Sequence, residues 1–290
     1  MNKFKGTGVA LITPFNDDGS IDYISLEKLL FNTINNNINY LVLMGTTAES
    51  ATLSKDEMNN VVSFCKKINN SKLPLVLGIG GNNTNQIVSD LKNFDFGGID
   101  AILSVSPYYN RPTQEGIYEH YKLISENSPL PIILYNVPSR TSSHMSSDLI
   151  VRLANDFSNI IGVKEASGDM FHVMDVLKNR PDRFLVISGD DALTLPIINL
   201  GGDGVISVIA QAFPKKYSEM VNKGLSGEFK SANRLHYNLW NFYKPLYAEG
   251  NPVGIKALLE LLGISKSIVR KPLLSASKSI INELSVLVKQ

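Results

Sequence analysis

PIILYNVPSRTSSHMSSDLIVRLANDFSNIIGVK, residues 131–164, carries the repeating unit of the fold. Two short apolar runs, PIILY at 131–135 and IIGVK at 160–164, flank a segment in which Ser146 precedes Ile150 and Leu153 at helical spacing. Apolar runs without alternation read as strands buried on both faces. The segment between them reads as the helix that returns the chain to begin a parallel neighbour. Outward from this stretch the rhythm repeats: GVALIT at 8–13, NYLVLM at 39–44, PLVLGI at 74–79, IDAILSV at 99–105, FLVIS at 184–188 and GVISVI at 204–209 complete a set of eight runs. Helical patterns lie between them, such as Leu26, Leu29, Leu30 and Ile34, or Met58, Val61, Val62, Cys65 and Ile68. Ser25, Ser54 and Ser146 stand where helix caps are expected.

Eight alternating units predict an α/β fold closed as a (β/α)8 TIM barrel. An open doubly wound sheet would carry a glycine-rich loop after its first strand, and that position holds TPFNDDGS. In LGIGGNN, Gly78 and Gly80 have dinucleotide-loop spacing, but Asn83 breaks the pattern, and LGGDG at 200–204 leads into a strand, so both read as turns. No strand run follows residue 213. A catalytic barrel over 1–225 with a small C-terminal helical domain over 226–290 accounts for the length.

With 43% apolar residues in 290, the chain can bury a large core, which excludes disorder. Its 28 basic side chains nearly balance 27 acidic ones, so neither nucleic acid nor a membrane surface is an expected partner; a small molecule is. The one cysteine, Cys65, sits in a helical pattern and reads as a buried small hydrophobe in a reducing compartment. No apolar run reaches membrane-spanning length and the N-terminus lacks a cleavage pattern, so a cytoplasmic enzyme is expected. His120, His144, His172 and His236 are scattered, with none at metal-ligand spacing, so no metal is expected.

Barrel chemistry sits at the C-terminal strand ends. There the sequence places Gly45-Thr46-Thr47-Ala48-Glu49-Ser50 after run two, Tyr108-Tyr109-Asn110-Arg111 after run four, Tyr135 through Arg140 at run five, and Lys164-Glu165 at run six. Lys164 ends a strand with Gly162 on its own face, a position that leaves room for it. Burial penalises its charged form and frees an amine able to attack a carbonyl; the bland alternative is an ion pair with Glu165. Tyr135 offers a phenol for proton transfer or a core ring, GTTAES a carboxylate cradle or a plain turn, and Arg140 a carboxylate clamp or a surface charge.

GVALITPF, GTTAESATLS, SPYYNRPTQEG, ILYNVPSRT, GVKEASGD, SGDD and GGDGVISV, in this order, resemble the dihydrodipicolinate synthase family of pyruvate-dependent class I aldolases, over nearly the whole chain. The resemblance implies Schiff-base condensation of pyruvate with L-aspartate 4-semialdehyde in diaminopimelate and lysine biosynthesis, with no cofactor beyond the covalent imine. It gives Lys164 the imine, Tyr135, Thr46 and Tyr109 a proton relay in which Tyr109 enters a neighbouring subunit's site, and the backbone N–H groups of Thr46 and Thr47 the pyruvate carboxylate. Gly189 and Ile206 match the pyruvate pocket, and Arg140 the carboxylate of the semialdehyde. A homotetramer built as a dimer of dimers is implied. N-acetylneuraminate lyases and sugar-acid aldolases share the lysine and tyrosine but lack this arginine, and a non-catalytic keto-acid-binding barrel is the alternative of another class.

Two departures from the family pattern stand out. Ala48 replaces the glycine of GTTGE, which a negative φ would accommodate. At the dimer-interface site where many members bind lysine as inhibitor, Ser50, Ala51, Asn82 and Tyr108 match, but Lys55, Met58 and Gln86 replace two histidines and a glutamate. An added cation and a lost acid repel an ammonium, so weak or absent lysine inhibition is expected.

Overall fold

The computed structural model describes residues 2–289, so Met1 and Gln290, the outermost residues of the two expected units, lie outside the described residues. Eight strands pair in parallel, each with its chain neighbours: β1 (Gly6–Ala10), β2 (Tyr40–Leu43), β3 (Leu75–Gly78), β4 (Ala101–Val105), β5 (Ile132–Asn136), β6 (Ile160–Glu165), β7 (Leu185–Ser188) and β8 (Gly204–Ser207). Helices follow them: α1 (Tyr23–Ile34), α2 (Lys55–Asn69), α3 (Thr84–Asn93), α4 (Gln114–Asn127), the short α5 (Pro138–Thr141), α6 (Ser147–Asp156), α7 (Met170–Asn179), α8 (Thr194–Asn199) and α9 (Pro214–Leu225). This is a closed (β/α)8 TIM barrel. A C-terminal helical part, α10 (Phe229–Ala248), α11 (Val253–Leu261) and α12 (Lys278–Val288), completes the chain.

Closure depends on the first and last strands, where Gly6 pairs with Gly204. Gly204 has φ +143°, and a Cβ there would run into the Gly6 backbone, so glycine alone lets the two strands meet. Beyond Ala10 the Gln211 side chain takes over: its Nε2 donates to the Ala10 carbonyl at 3.0 Å and its Oε1 accepts from the Ile12 amide at 3.0 Å. The expected first strand, 8–13, therefore lies at 6–10, with a side chain substituting for the ladder after it.

Alternation along the strands sorts the apolar residues. Tyr40, Val42, Val76, Ile133, Ile187 and Ile206 fill the barrel interior. The other strand faces pack under the helices, and one apolar cluster runs from α1 and α9 into α10, α11 and α12. Shortening a fully buried core residue such as Ile133 to alanine costs about 2–5 kcal/mol.

Ser54 and Ser146 cap α2 and α6, and Ser54 forms a reciprocal capping box with Glu57. At α1 the expectation is corrected. Asp22 is the cap and Ser25 the third helical residue, whose amide and hydroxyl donate to the Asp22 carboxylate at 2.9 and 2.6 Å. A carboxylate is the stronger acceptor for those donors. Cys65 is buried, and burial pushes its thiol up to about 12, so it stays protonated and inert.

Candidate active site

Tyr135 and Lys164, each one residue before the end of β5 and β6, are register partners, and the β period turns both side chains into the barrel. Both are buried, at 7% and 6% exposure, and the Lys164 Nζ lies 4.4 Å from the centre of the Tyr135 ring. No carboxylate pairs with Lys164 among the described residues. Glu165, one residue on, belongs to the opposite face and bonds elsewhere, which removes the bland reading of an ion pair. The room around Lys164 comes from Gly189, not Gly162. A Cβ on Gly162 would meet the Leu185 carbonyl at 2.8 Å, so that space is already filled, whereas a Cβ on Gly189 would stand 3.1 Å from the Lys164 Cε. Ile206 is buried in the same interior cluster as Tyr135.

The GTTAES segment forms a short turn after β2, with Thr46–Ala48 in 3-10 geometry. Thr46 and Tyr135 share a cavity of ≈ 570 Å³ that also takes in Gly45, Leu103, Val105 and Tyr108 and extends past Ala51 to Lys55 and Met58. Lys164 does not line this cavity but contacts the ring of Tyr135, which does. Thr47 is buried, its hydroxyl accepting from the Asn251 amide at 2.8 Å. Ala48 keeps a negative φ, as expected; the left-handed residue of the turn is Glu49, at φ +53°.

That strained, buried Glu49 is held from the C-terminal part. Its Oε1 pairs with the Lys256 Nζ at 2.5 Å and its Oε2 accepts the Arg270 amide at 2.9 Å. Burial pushes the Lys256 ammonium down to about 8, against the pull of Glu49. Lys256 also donates to the Ile268 carbonyl at 2.8 Å and lies over the Phe15 ring. Sequence reading passed over Lys256 and Asn251, which stand some two hundred residues from the turn they support. The SGDD motif has an architectural role of the same kind: Asp191 accepts from Ser207 and Tyr247, each at 2.6 Å, and so ties β7 to β8 and α10.

Two candidates lie apart from the rest within one chain. Tyr109 is 85% exposed, with φ +73°, and Arg140 is exposed on α5 with no carboxylate near it among the described residues. The histidines are less scattered in space than in sequence. His144 and His172 pack with ring centres 4.5 Å apart and planes tilted by 59°, and the His172 Nε2 lies 3.1 Å from Glu165. Burial and the neighbouring His172 hold the His144 imidazole below its ordinary range. Of the positions that depart from the family pattern, Lys55 pairs with Asp90 at 3.1 Å, and the Gln86 amide donates to the same carboxylate oxygen at 2.9 Å.

The sequence pattern of the dihydrodipicolinate synthetase family matches residues 3–290. A 4-hydroxy-tetrahydrodipicolinate synthase of Flavobacterium psychrophilum is 51% identical over 290 residues, covering 100% of this chain and 99% of the relative. Among solved structures, a monomeric dihydrodipicolinate synthase variant superposes with a TM-score of 0.96 at 37% identity, over 99% of this chain and 96% of the other. The chloride-inhibited dihydrodipicolinate synthase of Acinetobacter baumannii, complexed with pyruvate, superposes with a TM-score of 0.95 at 38% identity, over 98% of each chain.

Proposed function

Because this chain belongs to the dihydrodipicolinate synthetase family, we propose that Lys164 carries its reaction through an imine with pyruvate. The activity is that of a 4-hydroxy-tetrahydrodipicolinate synthase, a lyase of the class I aldolase type that joins pyruvate to L-aspartate 4-semialdehyde. The observation that supports Lys164 is a buried amine with no ion partner among the described residues, faced by a phenol ring and given space by Gly189.

In this reading the Lys164 amine adds to the ketone of pyruvate, and loss of water gives the imine. The protonated imine draws electrons from the methyl carbon, whose proton leaves to give an enamine. The enamine carbon attacks the aldehyde of the semialdehyde, forming the new C–C bond. The amino group of that second substrate then adds to the imine carbon and displaces Lys164, which closes the ring. The imine is the electron sink, so the reading needs no other cofactor or metal. Tyr135, at the amine, passes protons to and from the carbinolamine oxygen, with Thr46 on the shared cavity and Tyr109 of a second copy completing the relay. Thr47 and its neighbouring amides take the pyruvate carboxylate. Gly189 and Ile206 shape the methyl and ketone pocket, and the free guanidinium of Arg140 clamps the carboxylate of the semialdehyde.

A relay that borrows Tyr109 needs at least a dimer. A tyrosine held outward by a left-handed backbone supports one contact, and the exposed pair Phe171 and Met174, one helical turn apart on α7, supports a second, as a dimer of dimers requires. Among the described residues, no helix is long and apolar enough to cross a membrane. A single buried cysteine, Cys65, with no second cysteine in the chain to pair with, supports a cytoplasmic setting.

Borohydride reduction in the presence of pyruvate, followed by peptide mass spectrometry, tests the reading. A pyruvyl adduct on Lys164, absent from Lys164→Ala, is expected. A folded assembly with no adduct there would overturn it.

A further inference from the structure

Directly behind the amine and the phenol, on the outer face of the same two strands, lies a buried polar set that the chemistry above does not use. Asn136 follows Tyr135 and Glu165 follows Lys164, and these two are register partners as well. Glu165 is 1% exposed and collects three donors. Its Oε2 accepts from the Asn136 Nδ2 at 2.9 Å and faces the His172 Nε2 at 3.1 Å, while its Oε1 accepts from the Ser167 amide at 2.7 Å. With a carboxylate as the acceptor, His172 must carry its proton on Nε2.

The geometry points to Glu165 and His172 as positioning residues for the imine chemistry that the preceding reading assigns to Lys164. The Asn136–Glu165 bond ties β5 to β6 one residue beyond Tyr135 and Lys164. The His172 bond ties that junction to α7, and the Ser167 bond fixes the turn between strand and helix. The backbone extends the same lock: the Ala166 amide donates to the Asn136 carbonyl at 2.9 Å and the Gly189 amide to the Glu165 carbonyl at 2.6 Å. The backbone positions that carry the amine and the phenol therefore cannot shift relative to each other without breaking bonds on the far side of the sheet. Displacement of a reacting group by about 1 Å can cost on the order of 10²-fold in rate, which is why such a lock matters. Two other titratable side chains face this set: His144, whose ring packs tilted against that of His172, and Asp169, which caps α7 and accepts from the His172 amide at 3.3 Å.

His172→Phe keeps a flat ring but deletes the Nε2–H, and His172→Gln restores a donor at nearly the same place. In the assembled enzyme, His172→Phe is expected to lower kcat and the rate of borohydride-trapped adduct formation about tenfold, with the KM for pyruvate changed less than about threefold. His172→Gln should return both rates to within about threefold of the parent. Glu165→Gln, which sets an NH2 against one of three donors, should match His172→Phe, and the double variant should fall no further than either alone. A folded His172→Phe enzyme at parental rates would overturn the proposal, as would His172→Phe and His172→Gln losing activity equally, since packing rather than the hydrogen bond would then matter. If His172→Phe does not fold, parental trapping by Glu165→Gln overturns it alone. Failure of the underlying reading has a different signature, the absence of any Lys164 adduct in the parent enzyme.

Discussion

Lys164 and Lys256 are both buried lysines, and their surroundings differ in kind. Lys256 is fully buried and satisfied by the Glu49 carboxylate and the Ile268 carbonyl, so that it stays in place and holds a strained turn. Lys164 has no carboxylate partner among the described residues; an aromatic face lies beside it, and a glycine stands where another side chain could have crowded it. A paired amine is a structural member; an unpaired one is available for covalent chemistry. Burial alone does not distinguish the two, and the partner list does.

Replacement of the two lysines breaks the comparison most sharply. Lys164→Ala should lower kcat by at least about a thousandfold. Its urea unfolding midpoint should be unchanged or raised, since no ion pair is lost. Lys256→Met should do the reverse: it strands Glu49 without its cation and costs about 3–5 kcal/mol in urea unfolding, whereas Lys256→Met with Glu49→Met recovers much of that loss. If Lys256→Met left stability intact while abolishing pyruvate trapping, the division of labour would be wrong.

A smaller effect sharpens the structural side. Arg270 lies over Phe15 and holds the Glu57 carboxyl down at about 2, from 4.5. A depressed acid stabilises the folded state above its unfolded value and loses that contribution as pH falls through its folded value. Thermal midpoints of the parent and Glu57→Gln should therefore differ most above about pH 5 and converge toward about pH 2. A gap of constant size across that range would contradict the assignment. The smallest effect concerns a third lysine, the exposed Lys55, which together with Met58 and Gln86 replaces the family's lysine-binding side chains. Millimolar L-lysine should leave the steady-state rate within about twofold, and Lys55→His with Gln86→Glu should increase its effect.

The barrel was legible because each strand run is nearly continuous in apolar residues and each helix repeats at its own period; eight such pairs leave few alternatives. The site residues at strand ends were legible for the same reason: Tyr135 and Lys164 have fixed places in the period. Long-range partners were not. Nothing local marks Asn251 and Lys256 as the supports of Thr47 and Glu49, or brings His172 to Glu165, because those contacts arise from closure and from helix packing. Gly162 misled because alternation gives the face of a residue but not which neighbour fills its space. Ser25 misled because two good capping residues, Asp22 and Ser25, stand three apart and the more acidic one takes the cap.

The seam between β1 and β8 bears on how the molecule comes into being. Gly6 leaves the ribosome about two hundred residues before Gly204, its ladder partner. At roughly 5–20 residues per second, that is an interval of some 10–40 s in which the nascent sheet has an open edge. Gln211, which staples the seam, is made later still. The growing chain must therefore keep a row of unpaired amides and carbonyls away from other chains until its own last strand arrives, and that interval is where chaperones would find it.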